Sequence, residues 1–186
     1  MADNKIILGI DPGTQIMGFG VIELKSGKPY YVTMGSKDFR KIADHYERIG
    51  EIFHFVEQLI SQYKPTDLAI EAPFYGKNVQ SMLKLGRAQG AAIACALSKG
   101  LPVAEYAPRK IKQSITGKGA ASKEQVAMII KNILKIEDKA EHLDATDAIS
   151  VALCHYYQIN DPIPKQAKGG SWESFLKNNP QRIKKL

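Results

Sequence analysis

The run Lys5-Ile-Ile-Leu-Gly-Ile10 is apolar without alternation and stops at Asp11-Pro12-Gly13. A strand with one wet face alternates polar and apolar side chains, whereas an unbroken apolar strand has to be covered on both faces. The segment therefore predicts a central strand of a sheet lying between two other layers, closed by a turn. Met17–Leu24 reads as a second strand, and the Ser26-Gly27-Lys28-Pro29 turn leads to a third at Tyr30–Met34. Short connections between three successive strands imply an antiparallel meander.

The hydrophobic period then changes. From about Lys41 to Tyr63, Ile42, Tyr46, Ile49, Phe53, Val56 and Ile60 recur at helical spacing, and Pro65 ends the helix. Asp67–Glu71 predicts a fourth strand with Glu71 at its end, because Pro73 restricts Ala72 to an extended conformation. A helix over about Asn78–Ser98 is rich in small residues on one side, Gly86, Gly90, Ala91, Ala92 and Ala94, which permit close packing. Pro102–Tyr106 reads as a fifth strand, followed by a short helix from Pro108 to about Gly117. Ser122 and Gln125 form a capping box ahead of a helix reaching about Lys135, and a last helix covers about His142 to Gln158. The order βββαβαβααα predicts an α/β domain, a five-stranded mixed sheet flanked by helices.

A length of 186 residues suits one domain, and 44% hydrophobic with 24% charged residues is ordinary globular composition, which excludes a disordered chain. No apolar run approaches the roughly 20 residues of a bilayer span, so no membrane association is expected. The Met-Ala-Asp-Asn-Lys start lacks the layout of a secretory leader. Cys95 and Cys154 sit in apolar helical stretches and read as reduced core residues, so a cytoplasmic location is expected. The formal net charge of +7 favours a polyanionic partner. After Asn160 the character shifts to Asp161-Pro-Ile-Pro, Lys168-Gly-Gly and Arg182-Ile-Lys-Lys-Leu186. Residues 1–160 are therefore expected to form the domain and residues 161–186 a basic, flexible tail.

The informative acids are those from which a fold gains little. Asp11 and Glu71 each close an otherwise apolar strand, at the carboxyl ends where open α/β sheets build sites. Asp144 and Asp147 lie three apart at the start of the last helix, on one face. Asp11 could simply serve its turn, and the helical pair could serve as N-cap and partner of the helix dipole. Glu71 is harder to dismiss, because a carboxylate in a buried strand costs free energy unless it is paired or binds a metal. Converging acids would repel, and divalent cations would relieve that repulsion. An all-oxygen donor set points to Mg²⁺ or Mn²⁺ rather than zinc. His45, His54, His142 and His155 show no zinc-ligand spacing, and neither a Gly-x-Ser-x-Gly elbow nor a phosphate-loop motif occurs.

Five blocks in order resemble the RuvC Holliday-junction resolvases. They are Ile6-Ile-Leu-Gly-Ile-Asp11-Pro-Gly-Thr14 with Gly18-Phe-Gly-Val21; Ala69-Ile-Glu71; Lys77-Asn78 with Leu83-Lys-Leu-Gly86; Glu105-Tyr-Ala-Pro-Arg-Lys-Ile-Lys112-Gln113; and Asp144-Ala-Thr-Asp147-Ala148. The resemblance implies a ribonuclease H-like fold and a homodimer that resolves four-way (Holliday) DNA junctions by paired symmetric nicks in recombination and repair. It also implies Mg²⁺, two ions per site with Mn²⁺ as a substitute, and a branch-migration motor complex as partner. Carried over by motif, Asp11, Glu71, Asp144 and Asp147 match the catalytic, metal-binding acids. Lys112 and Lys123 match lysines near the DNA backbone, and Phe74 matches an aromatic inserted at the junction centre. Pro73 and Tyr75 flank Phe74 and depart from the family pattern.

Other readings stay open at this level. A different ribonuclease H-like nuclease could act on RNA or simpler DNA. An actin-like ATPase also places an Asp-x-Gly turn after a strand, but its two lobes need more chain. A DNA-binding module without catalysis accounts for the charge and not for Glu71.

Overall fold

β1 (Lys5–Asp11) lies in the middle of a five-stranded sheet, between β2 (Ile16–Lys25) with β3 (Lys28–Asp38) beyond it and β4 (Asp67–Glu71) with β5 (Val103–Tyr106) beyond it, as its unbroken apolar run requires. The computed structural model describes residues 5–73, 78–136 and 143–160, with the backbone alone at 143 and 144. β2 and β3 form the antiparallel meander with β1, and β4 and β5 add in parallel on the other side. The helices are α1 (His45–Tyr63), α2 (Val79–Ser98), α3 (Pro108–Thr116), α4 (Lys123–Leu134) and α5 (Leu143–Ile159). The predicted order of elements and the mixed α/β sheet are both present.

Two boundaries differ from expectation. α1 begins at His45 rather than near Lys41, because the Asp44 carboxylate accepts from the Tyr46 and Glu47 amides at 2.8 Å each. Ile42 lies in the preceding turn, its amide donating to Phe39 O at 3.0 Å. β3 runs well beyond Tyr30–Met34, pairing with β2 from Lys28 through Asp38. The predicted start of the last helix at His142, the aromatic Phe74 with its neighbour Tyr75, and the tail 161–186 all lie outside the described residues. Among the described residues no helix is long and apolar enough to cross a membrane.

Strand alternation divides the core into two layers. Leu8, Ile10, Leu68 and Ile70 pack with Ile52, Val56, Ala88 and Ala92 of α1 and α2. Ile7, Ile22 and Ala69 pack on the opposite face with residues of α3, α4 and α5. The small residues of α2 do not share one face. Ala88, Ala92, Cys95 and Ala96 are buried, while Val79, Leu83, Gly90, Ala94 and Leu97 are exposed on the other side.

α5 rests directly on the middle of the sheet. A β-carbon added to Gly9 would stand 2.3 Å from Ala148 O and 2.7 Å from Ala152 N, and one on Gly20 would stand 2.6 Å from Ile149 Cα. Both glycines face helix backbone, which cannot rotate away as a side chain can, so a residue here must displace α5. Gly9→Ala should lower the unfolding free energy by about 1–3 kcal/mol, the usual cost of overpacking a close-packed core. Chemical denaturation measures it, and an unchanged midpoint would mean that α5 shifts without cost.

Candidate active site

β1 and β4 run side by side in parallel, their last paired residues being Ile10 and Ile70. Asp11 and Glu71 come next on each strand, so both carboxylates leave the sheet at the same end. Alternation puts them on the face of Gly9 and Ala69, the face that α5 crosses. Asp147 lies on α5, and Ser150 lies one turn further on. α3 starts at Pro108, which fits its first turn, and presents Ile111 and Lys112. α4 starts at Lys123 behind the predicted capping box, in which the Ser122 amide donates to Gln125 Oε1 at 3.0 Å.

These elements enclose a cavity of about 400 Å³ lined by Asp11, Glu71, Lys112, Lys123, Asp147 and Ser150, with Pro108, Ile111 and Val126 as its apolar wall. Five predicted site residues from five separate elements thus meet in one place. The Lys123 ammonium pairs with Asp147 Oδ2. Asp144 sits one turn ahead of Asp147 on the α5 backbone, and its side chain, like all of Phe74, lies outside the described residues.

The electrostatics of the cavity centre on Glu71. Burial, then the nearby charges of Asp11 and Asp147, push its pKa up to about 8, against the opposing pull of Lys123 and Lys112. Three carboxylates in a half-buried pocket are an unfavourable arrangement that a divalent cation would relieve. Oxygen donors suit a hard ion such as Mg²⁺ or Mn²⁺, so the chemistry of the donor set fits the metal. Among the described residues no three His, Cys, Asp or Glu side chains form a ready-made metal cluster.

The peptide after Glu71 is held from two sides. The Gln89 amide on α2, only 7% exposed, donates to Glu71 O at 3.3 Å and to Glu105 Oε2 at 2.7 Å. Tyr106 O accepts from the Ala72 amide at 2.9 Å. Sequence reasoning overlooked Gln89, Ser150 and the glycine seat of α5. A signal existed for the last, since glycine inside an apolar strand marks a close backbone approach. Nothing in local sequence marks Gln89, because its partners lie 16 and 18 residues away.

Comparison with known proteins fits this geometry. The profile of the family described as "Crossover junction endodeoxyribonuclease RuvC" matches residues 7–155. A protein of that name from Cytophaga hutchinsonii is 52% identical over 181 residues, spanning 97% of this chain and 89% of the relative. One from Bacteroides fragilis is 51% identical over 183 residues, spanning 97% of each. Among solved structures, that of Thermus thermophilus RuvC in complex with a Holliday junction substrate superposes with a TM-score of 0.78 at 29% identity. It covers 83% of this chain and 94% of that one.

The raised Glu71 pKa has a stability consequence of definite sign. Between its ordinary value of 4.5 and about 8, the folded protein holds a proton that the unfolded chain releases. Stability from this group is therefore lost as pH rises through that window. Without divalent metal, Glu71→Gln should stabilise the fold above pH 8, on the order of a few kcal/mol at most, with the gain vanishing towards pH 4.5. Denaturant titrations of both proteins across that range, in a chelating buffer, measure the difference.

Proposed function

Since this chain belongs to the RuvC family of crossover junction endodeoxyribonucleases, we propose that it resolves four-way DNA junctions at the cavity formed by Asp11, Glu71 and Asp147. Members of this family are metal-dependent nucleases. The observation that carries the reading is the convergence of acids from β1, β4 and α5 with lysines from α3 and α4 around one opening. That set can bind metal on one side and phosphate on the other.

Asp11, Glu71 and Asp147, together with Asp144, are the residues to hold the metal, read here as a pair of Mg²⁺ ions with Mn²⁺ as a substitute. A metal held there would supply Lewis acidity for phosphodiester hydrolysis and would lower the pKa of a bound water. Lys112 and Lys123 hold the scissile phosphate by charge, as flexible point cations. Asp147 orients Lys123 for this through their ion pair. The buried wall of Ile111 and Val126 limits water around these charges and so strengthens them. Phe74 is read as a wedge that replaces lost base stacking at the crossover, as inserted side chains do in bent DNA. Residues 161–186 are read as a tail outside the nuclease domain, and a branch-migration motor as a further partner.

Junction selectivity needs geometry beyond a single site. Two opposed nicks resolve a four-way junction, and a two-fold dimer presents two equivalent sites. The outer face of α2 supports that arrangement. Val79, Leu83 and Leu97 are 63%, 53% and 59% exposed. Between them a β-carbon at Gly86 or Gly90 would meet nothing within 4 Å. An apolar ridge with a glycine trough along it suits a second copy of the same helix.

Two experiments test the reading. Asp11→Asn should abolish nicking of a labelled four-way junction in Mg²⁺ and leave gel-shift binding intact, because affinity comes mainly from basic contacts to phosphate. Loss of binding along with cleavage would assign Asp11 to folding instead. Leu83→Glu should convert the protein to a monomer in sedimentation analysis and replace paired nicks by single ones. A variant that remained dimeric would remove this face of α2 from the interface.

A further inference from the structure

A second polar cluster lies on the same face of the sheet, under the far end of α5, and the reaction read above does not use it. His155 is 6% exposed and Asp67 7%. Tyr106 Oη stands 2.7 Å from His155 Nδ1, and His155 Nε2 stands 3.4 Å from Asp67 Oδ1. Asp67 is tied down further by Lys5 Nζ at 3.1 Å and by the Thr66 hydroxyl, which donates to Oδ2 at 2.7 Å. The chain links β1, β4, β5 and α5.

Its chemistry is self-consistent. Burial, with Cys154 and Asp67 adding to it, pushes the Tyr106 phenol up to about 12, so the hydroxyl keeps its proton. Burial opposes the charge of Asp67, but hydrogen bonds from Thr66, Lys5 and His155 outweigh it and keep the carboxyl below its usual pKa. The His155 ring thus has Tyr106 at Nδ1 and Asp67 at Nε2, a partner for each nitrogen.

The spacing connects this cluster to the cavity. Asp67 and Glu71 bound β4, about 13 Å apart at the rise of a strand. Asp147 and His155 are eight residues apart on α5, about 12 Å at the rise of a helix. α5 is thus pinned at one end of β4 by His155 and meets Glu71 at the other end with Asp147. Tyr106 joins the two ends, since its hydroxyl meets His155 while its carbonyl holds the Ala72 amide beside Glu71.

We propose that the Tyr106–His155–Asp67 chain is a positioning device that holds α5 in the register along β4 at which Asp147 and Glu71 share a metal. It rests on the reading of those acids as metal ligands. Tyr106 and His155 touch neither substrate nor metal and act only through the backbone elements they lock. Packing on Gly9 and Gly20 seats α5 on the sheet, and the hydrogen bonds of His155 add a directional restraint at the other end of the helix.

Tyr106→Phe removes one oxygen and preserves the ring, so the fold should survive. In Tyr106→Phe and His155→Ala, Mn²⁺ binding followed by electron paramagnetic resonance without DNA should weaken by roughly tenfold, as when groups behind a metal ligand are lost. The metal concentration for half-maximal junction cleavage should rise in parallel, with rate at saturating metal largely restored and junction affinity unchanged. Leu59→Ala, in the opposite core layer, should lower the melting temperature without moving the Mn²⁺ titration. Equal Mn²⁺ binding in wild type and Tyr106→Phe, with only a lower melting temperature, would reduce the chain to a stabilising contact. Failure of the wild type itself to bind Mn²⁺ would instead overturn the metal reading, and the positioning role with it.

Discussion

Contact between the backbone of α5 and the middle of the sheet sets the geometry of everything else. Gly9 and Gly20 present no side chain at the points where Ala148, Ile149 and Ala152 sit against strand backbone. With the helix seated on these glycines, Asp147 enters the same cavity as Asp11 and Glu71. The glycines are therefore functional without being chemical, and they cost strand stability that the apolar packing around them offsets.

The acids impose an opposite demand. Glu71 shows it most clearly: burial and the neighbouring Asp11 and Asp147 charges push its pKa up to about 8. Lys112 and Lys123 oppose it only partly, the former half-buried and the latter exposed. A site poised in this way favours any ligand that carries concentrated positive charge, which is the physical content of metal dependence in such a pocket. The surrounding scaffold accordingly spends its hydrogen bonds on holding the strand ends: Gln89 and Tyr106 fasten the peptide that follows Glu71.

Much of the architecture was legible because it depends on local rules. The unbroken run through Ile10 needed cover on both faces, Pro73 closed β4 after Glu71, and Ser122 with Gln125 announced α4. The start of α1 was misplaced because Ile42 continues the helical period, and period alone does not weigh a capping aspartate two residues later. Likewise, the small residues of α2 looked like one face when listed along the chain. Wound at 100° per residue, they divide between the buried Ala88–Ala92–Ala96 side and the open Gly86–Gly90 side.

For the site, the residue types and their order along the chain singled out Asp11, Glu71, Asp144 and Asp147, whereas Lys112 and Lys123 entered only through the resemblance to the family. What a linear string lacks is distance between elements far apart in sequence. That Asp11, Glu71 and Asp147 meet, that Lys123 pairs with Asp147, and that Gln89 and His155 support the elements carrying them were decided only when the layers closed. The physical reason is that backbone preference and hydrophobic period act over a few residues, whereas electrostatic coupling and hydrogen bonding act between whatever the packed core brings within a few ångströms.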